Sequence, residues 1–194
     1  MRTLNLRNYL LKKRIAIVCS LVILSFTSCE REKDTTFLIS KDAVGKLNRS
    51  DLAKDLTSIY AGDSIVGDTT QFKIGNSAKK IKIYEKGGKH LLTLTPSEDS
   101  IPRIENLRVY DPRFVTEKGV GLSSTFKDIK DNYDIKKVVT SRNNVVIFIK
   151  SSDMYFTISK EELPASLRYA SSVNIEAVQI PDKAKIKYLM VGWD

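Results

Sequence analysis

The sequence predicts an α+β domain: an antiparallel sheet with a few short helices, arranged as two tandem units of a helix followed by a strand meander. Three observations carry this. Short stretches alternate apolar and polar residues, as where Ile81 and Ile83 stand between Lys80, Lys82 and Tyr84, the mark of a strand with one buried face. Glycine- and asparagine-bearing turns join such stretches into hairpins. Helix-period spacing is confined to two brief stretches, each preceded by a Val-Gly pair.

In chain order, residues 30–36 are charged and free of periodicity, a tether rather than part of the fold. Phe37-Leu38-Ile39 opens the globular domain, 37–194, with expected halves at 37–100 and 101–194. After Val44-Gly45, Ser50 is placed to cap a helix, whose first-turn N–H groups have no internal partners. Leu52, Leu56, Ile59 and Tyr60 follow at offsets of 0, 4, 7 and 8, and Gly62 is the stop. A polar turn covers 67–70. Residues 79–84 form a strand that turns through Lys86-Gly87-Gly88-Lys89 and returns over 90–95, the glycines supplying positive φ. A loop with serines and acids spans 96–102 at the midpoint. Residues 104–110 form another strand, ended by Asp111-Pro112.

The pattern then recurs. Val120-Gly121 precedes Ser124 as the expected cap, with Asp128 favouring the helix N-terminus, and Phe126, Ile129 and Tyr133 lie at offsets of 0, 3 and 7. This reads as an internal duplication. Residues 136–142 pair across Asn143-Asn144 with 145–150, the asparagines suiting a left-handed turn. Ser151-Ser152-Asp153 leads into a strand over 154–158. Residues 159–162 are a capping box opening a short helix that Pro164 limits. Residues 165–172 are irregular, 173–179 read as a strand, and Pro181-Asp182 turns. The last strand, 185–193, becomes solidly apolar at Leu189-Met190-Val191, the pattern of a strand covered on both faces.

Ahead of the domain, Lys12, Lys13 and Arg14 precede a continuous apolar and small run over 15–26, and Ser25, Thr27 and Ser28 lead to Cys29. A spanning helix needs about 20 apolar residues. This run is shorter and suits the apolar core of a secretory signal. Residues 12–29 resemble a bacterial lipoprotein signal, departing from the usual motif at Phe26, where an aliphatic residue is typical. The resemblance implies a signal peptide over 1–28, cleavage before Cys29, lipidation of the Cys29 sulfur and amine, and a tether over 29–36. It places the protein in the cell envelope, held in the membrane through Cys29, on the periplasmic face or the surface of the outer membrane. Lys33-Asp34 resembles part of the charged export signal of Bacteroidota-type lipoproteins, with a solvated spacer as the alternative. An ordinary secreted protein with a free thiol and an uncleaved interfacial anchor are the competing readings, and ordinary cleavage would want a small residue at Phe26. Cys19 stands too close to Arg14 for this role and is expected to leave with the signal.

The formal charge of +9 overstates the basicity. Residues 1–28 hold five basic residues and no acid, so the remaining 166 residues carry 27 basic against 23 acidic, a net +4. That is too mild to argue for nucleic acid, and none is expected as a partner. A chain of this length buries roughly 70% of its unfolded surface, enough for one core. With Cys29 as the single remaining cysteine, neither an internal disulfide nor a cysteine-rich metal site is available.

No motif announces chemistry, and no cofactor or metal is expected. His90, the single histidine, reads as a half-exposed strand residue without a partner for a triad or a metal pair. Gly87-Gly88 lacks the P-loop pattern, and Gly119-x-Gly121 lacks a third glycine. Asp63 and Asp68 match no calcium loop. Asp111, Asp128, Asp131, Asp153, Glu161 and Glu162 would serve an acid-based hydrolase only if the fold brought two of them together. Lys79, Lys80, Lys82, Lys86 and Lys89 cluster on one hairpin. They read either as a site for an anionic glycan, lipid headgroups or an acidic envelope protein, or as a solvated face that discourages edge-to-edge pairing.

Tandem helix-plus-sheet units resemble the β-lactamase-inhibitory-protein type and small lipoproteins of outer-membrane assembly, nearest over Gly119-Val120-Gly121-Leu122-Ser123-Ser124-Thr125 with Tyr133 at the helix end. The resemblance implies a binding or assembly module rather than an enzyme. The expected function is therefore a lipid-anchored envelope protein with a non-catalytic binding or assembly role. The alternative is a recognition or inhibitor module using its sheet face and exposed aromatics, and the second alternative is an acid-based hydrolase.

Overall fold

The computed structural model describes residues 34–67, 80–169 and 174–193. Cys19, Cys29, the signal and most of the tether lie outside the described residues, as do Asp68 and Lys79. In chain order the elements are β1 (Leu38–Ile39), β2 (Ala43–Val44), β3 (Leu47–Asn48), a 3₁₀ turn (Ala53–Asp55) running into α1 (Leu56–Ile59), β4 (Ser64–Val66), β5 (Ile81–Tyr84), β6 (His90–Pro96) and β7 (Ile104–Val109). Then come β8 (Val115–Thr116), α2 (Phe126–Asn132), β9 (Ile135–Thr140), β10 (Asn144–Ile149), β11 (Met154–Ser159), a 3₁₀ turn (Lys160–Glu162), α3 (Ala165–Arg168), a 3₁₀ turn (Ala177–Gln179) and β12 (Ile186–Gly192).

Among the described residues these strands make two sheets: a small one in the order β3-β2-β1-β8, and an eight-stranded antiparallel one in the order β4-β5-β6-β7-β12-β11-β10-β9. The large sheet is two meanders, each preceded by a helix, joined where their last strands β7 and β12 pair. Because β7 completes the first meander, the seam between the two units falls after Val109 rather than in the 96–102 loop. In the small sheet β1 and β8, one from each unit, lie side by side in parallel. The rings of Phe37 and Phe114 meet edge to face at 5.1 Å beside them.

The α+β class follows from how these elements bury their apolar faces. Ile65, Ile83, Leu92, Val109, Leu189, Phe156, Ile147 and Val138 are successive cross-strand neighbours, one row across all eight strands. Leu56 of α1, Phe126 and Ile129 of α2, and Ile39, Val44 and Leu47 of the small sheet join them in a single core. Each such side chain contributes about 1.5–3 kcal/mol by leaving water.

Several local expectations are corrected. Ser50 does not cap the first helix. Its neighbourhood is committed to β3 and the turn after it, where Asp51 accepts the Asn48 N–H at 2.7 Å, and the helix begins behind Leu52 without a side-chain cap. The second cap is Thr125, one residue past Ser124: its N–H and hydroxyl both donate to Asp128 Oδ2, at 2.7 and 2.9 Å, while Ser124 Oγ accepts the Gly121 N–H. The left-handed residue near the β10 turns is Ser151, with φ 54°, and neither Asn143 nor Asn144 is left-handed. At residues 159–162 Ser159 caps the 3₁₀ turn as expected, but Glu162 reaches forward to accept the Lys185 N–H. Residues 165–168, read as irregular, form α3, and Ser64–Val66, between the Gly62 stop and the 67–70 turn, is the edge strand β4.

The described part of 173–179 is not a strand. Gln179 Oε1 accepts the Glu176 N–H at 2.9 Å, closing a local 3₁₀ turn. Only Ile175 is buried there, its N–H held by Thr140 Oγ1 at 2.9 Å, while Val178 is 87% exposed. The local side-chain cap outcompetes an alternation too short to fill a sheet position.

The repeated Val-Gly pair has a steric cause. Val44 and Val120 are both buried. A Cβ on Gly45 (φ +58°) would sit 2.5 Å from the Thr36 carbonyl oxygen, and one on Gly121 would sit 2.6 Å from that of Phe114. Both glycines let the chain double back against the small sheet. Replacing Gly45 by alanine is expected to cost about 2 kcal/mol or more. Gly62→Ala, which meets nothing within 4 Å, should be near neutral. Thermal melts of the two variants check this, and equal melting temperatures would refute it.

Candidate functional site

Most of the carboxylates that a hydrolase would need are committed to other roles. Asp111 is buried, accepts the Arg113 N–H at 2.9 Å through Oδ1, and binds the Arg113 guanidinium at 2.6 and 3.0 Å through Oδ2. Lys89 Nζ lies 3.1 Å from the same oxygen. Arg113 also forks onto Glu85 at 3.0 and 2.8 Å and lies 4.1 Å over the Phe37 ring. Burial alone would raise the Asp111 pKa, but the Arg113 hydrogen bonds, with Lys89, hold it at about 2. Asp128 is spent on the α2 cap, Asp131 pairs with Lys127, Asp153 pairs with Arg49 at 2.6 Å, and Glu162 holds the Lys185 N–H. Glu161 is exposed on its 3₁₀ turn. Asp63 is tied to Lys46 at 2.7 Å, and among the described residues no three metal-ligating side chains gather.

The described lysines of the basic hairpin are divided between strand, turn and an ion pair. Lys80, Lys82, Lys86 and Lys89 are exposed. Lys86 lies in the turn, Lys89 is drawn to Asp111, and Lys82 alternates with Ile81 and Ile83 onto the opposite face of the sheet from the core.

That opposite face is the distinctive surface of the molecule. The helices and the small sheet bury their apolar residues on the core side. On the other side a register row runs Lys82, Thr93, Arg108, Met190, Tyr155, Phe148, Lys137. Beside it stands a stacked column. Tyr84 lies on His90 with ring centroids 4.7 Å apart, and His90 lies on Tyr110 at 3.8 Å. The Arg108 guanidinium is 4.6 Å from the Tyr110 ring and 3.6 Å from that of Tyr188. Further along, Phe148 and Tyr155 stack at 5.4 Å. Lys137 Nζ lies 4.8 Å over Phe148, and Tyr155 Oη accepts from Asn106 at 2.7 Å. These side chains are mostly half-buried, wet on one side.

His90 Nε2 sits 3.1 Å from both the Leu92 carbonyl oxygen and Thr93 Oγ1. Its pKa is lowered chiefly by burial, against the raising effect of the Leu92 carbonyl, with Lys82 and Arg108 lowering it further, so the neutral imidazole is favoured between the two tyrosine rings. Glu105 is the single acidic residue in the eight strands, and it alternates away from Asn106 and Arg108. Among the described residues the outward strand positions of the open face are thus cationic and aromatic without a carboxylate. Because the ring faces cover one another, what it offers outward is ring edges, hydroxyls and cations. Tyrosine, methionine and arginine in such rigid settings are the residues enriched at protein interfaces.

Sequence reasoning placed Lys82 and His90 in their strands but missed Arg108, Tyr110, Tyr155 and Tyr188 as a group. The available signal was that outward positions of successive strands carry aromatic rings where short polar residues would satisfy solvent.

No described helix is long and apolar enough to cross a membrane. No protein-family model matches the chain, and no curated protein matches it. A solved structure with the same fold is the crystal structure of the uncharacterized protein YfeY from Escherichia coli, with a TM-score of 0.55 and 15% identity, covering 79% of this chain and 98% of that one. At that identity the likeness is one of fold.

Proposed function

We propose that this protein is a lipid-anchored component of the cell envelope whose domain binds another envelope protein without catalysing a reaction. The open, tyrosine-rich face of the large sheet is the observation that supports binding: it is preorganised by its own stacking. The lipoprotein-type signal ending at Cys29 supports the address. By that resemblance Cys29 carries three acyl chains, whereas one chain alone binds membranes only marginally. An anionic glycan is the less supported ligand, because most of the ring faces on which a sugar would stack cover one another.

Labelling cells with a fatty-acid analogue, with protease shaving of intact cells, tests the address. The wild-type chain is expected to take the label and sediment with membranes, and Cys29→Ser to lose both. A Cys29→Ser chain that keeps its label would sink the anchoring. For binding, a photoreactive phenylalanine analogue at Val146, on the open face, is expected to cross-link a partner in cells where one at Lys127, on the exposed side of α2, does not.

A further inference from the structure

We infer that Arg108 is the anchor of this face and that the partner is a protein with an acidic surface, one of whose carboxylates seats on the Arg108 guanidinium. This rests on the binding role proposed above and adds the chemistry of the partner. Arg113 and Arg49, by contrast, are each paired with a carboxylate inside the domain. Arg108 has none in ion-pair range among the described residues, and its Nε is buried without a hydrogen-bond partner. What fixes it is the tyrosine pair, Tyr110 and Tyr188. An arginine held flat by rings keeps its planar fork preorganised for a carboxylate, so little side-chain entropy is lost on pairing.

The surroundings select the same sign. Lys82 and Lys137 stand in the register row of Arg108, and no outward strand position of the large sheet is acidic. A second copy would bring the same positive face against this one and be repelled. Nucleic acid would need free ring faces for stacking, and most faces of the column are stacked on one another or on Arg108. A protein carboxylate needs only the fork and the tyrosine edges beside it.

The test uses the full-length chain in detergent micelles, with a poly-glutamate peptide as the probe and a poly-glutamine peptide and a single-stranded oligonucleotide as controls. Poly-glutamate is expected to shift the Arg108 Nε–H resonance. Arg108→Gln should weaken its binding about tenfold, and Lys137→Gln, an exposed change on the same face, should weaken it by less. Lys86→Gln, in the hairpin turn, should leave it within about twofold. Equal losses in Arg108→Gln and Lys86→Gln would reduce the effect to diffuse charge and overturn the assignment, as would an oligonucleotide that shifts the same resonance as strongly. Melting curves show whether Arg108→Gln folds; if it does not, Lys137→Gln carries the comparison. The Val146 cross-link in cells separates the two claims. If it forms and survives Arg108→Gln, this inference falls and the binding role stands; if it never forms, both fall.

Discussion

A chain lacking residues 185–194 is expected not to fold. These residues carry β12, which lies between β7 and β11 and joins the two meanders into one sheet. Removing it unpairs both neighbours at once. It also takes away Ile186, Leu189, Val191 and Trp193, all buried, with Leu189 fully so. At about 2 kcal/mol or more each, their loss matches a large share of the roughly 5–15 kcal/mol that holds a domain together. Leu189→Ala removes one of them and should cost about 3 kcal/mol while leaving a folded protein. Circular dichroism melts distinguish the cases: a cooperative transition in the truncated chain would show that the first meander stands without β12. Trp193→Phe is expected to cost little for its lost N–H, because that buried nitrogen has no hydrogen-bond partner among the described residues.

Arg113→Ala should destabilise the domain by about 2–4 kcal/mol, because it leaves the buried Asp111 carboxylate with Lys89 alone. The same ion group sets a pH dependence. The Asp111 pKa falls from an ordinary 3.8 to about 2 on folding. Folding therefore favours the ionised form: the contribution is fully present above pH 4 and is lost as the pH falls from there through about 2. With allowance for the solvent-screened, half-exposed Arg113 and Glu85, it amounts to about 1–2 kcal/mol. Asp111→Asn should flatten that acid slope and lower stability at pH 7. Urea midpoints at pH 7 and pH 3 read both. An Arg113→Ala protein as stable as wild type, or an unchanged acid slope in Asp111→Asn, would remove Asp111 from the account.

The residues of the helix-and-meander units show how far local pattern reaches. The offsets of Phe126, Ile129 and Tyr133 placed α2, since a helix face is set by spacing within a few turns. The cap was misplaced by one residue because Ser124 and Thr125 are chemically equivalent, and only the backbone direction into α2 separates them. Residues 174–179 were misread for a related reason: a short apolar alternation and a local Glu176–Gln179 cap compete, and sheet packing decides against the strand. The Val-Gly pairs were visible as a repeat, but their cause, close approach to the carbonyls of Thr36 and Phe114, joins segments that only the fold brings together.

By itself the sequence determined the α+β class, most of the strands, the core-facing side of the strand at Ile81 and Ile83, and the resemblance of residues 12–29 to a lipoprotein signal. These depend on periodicity and composition over a few residues. The last strand it read as covered on both faces, whereas Tyr188 and Met190 of β12 are half-buried on the open face. The order of the large sheet, with β7 against β12, was decided by the tertiary structure, and with it the alignment of Tyr84, His90, Tyr110, Arg108 and Tyr188. A period of two assigns a side chain to a face, but its neighbours on that face depend on the register between strands far apart in the chain, such as those of Arg108 and Tyr188. That register is set by burial of the core row on the other side. The open face, with an arginine that pairs with no carboxylate among the described residues, is the outer consequence of how the core packs.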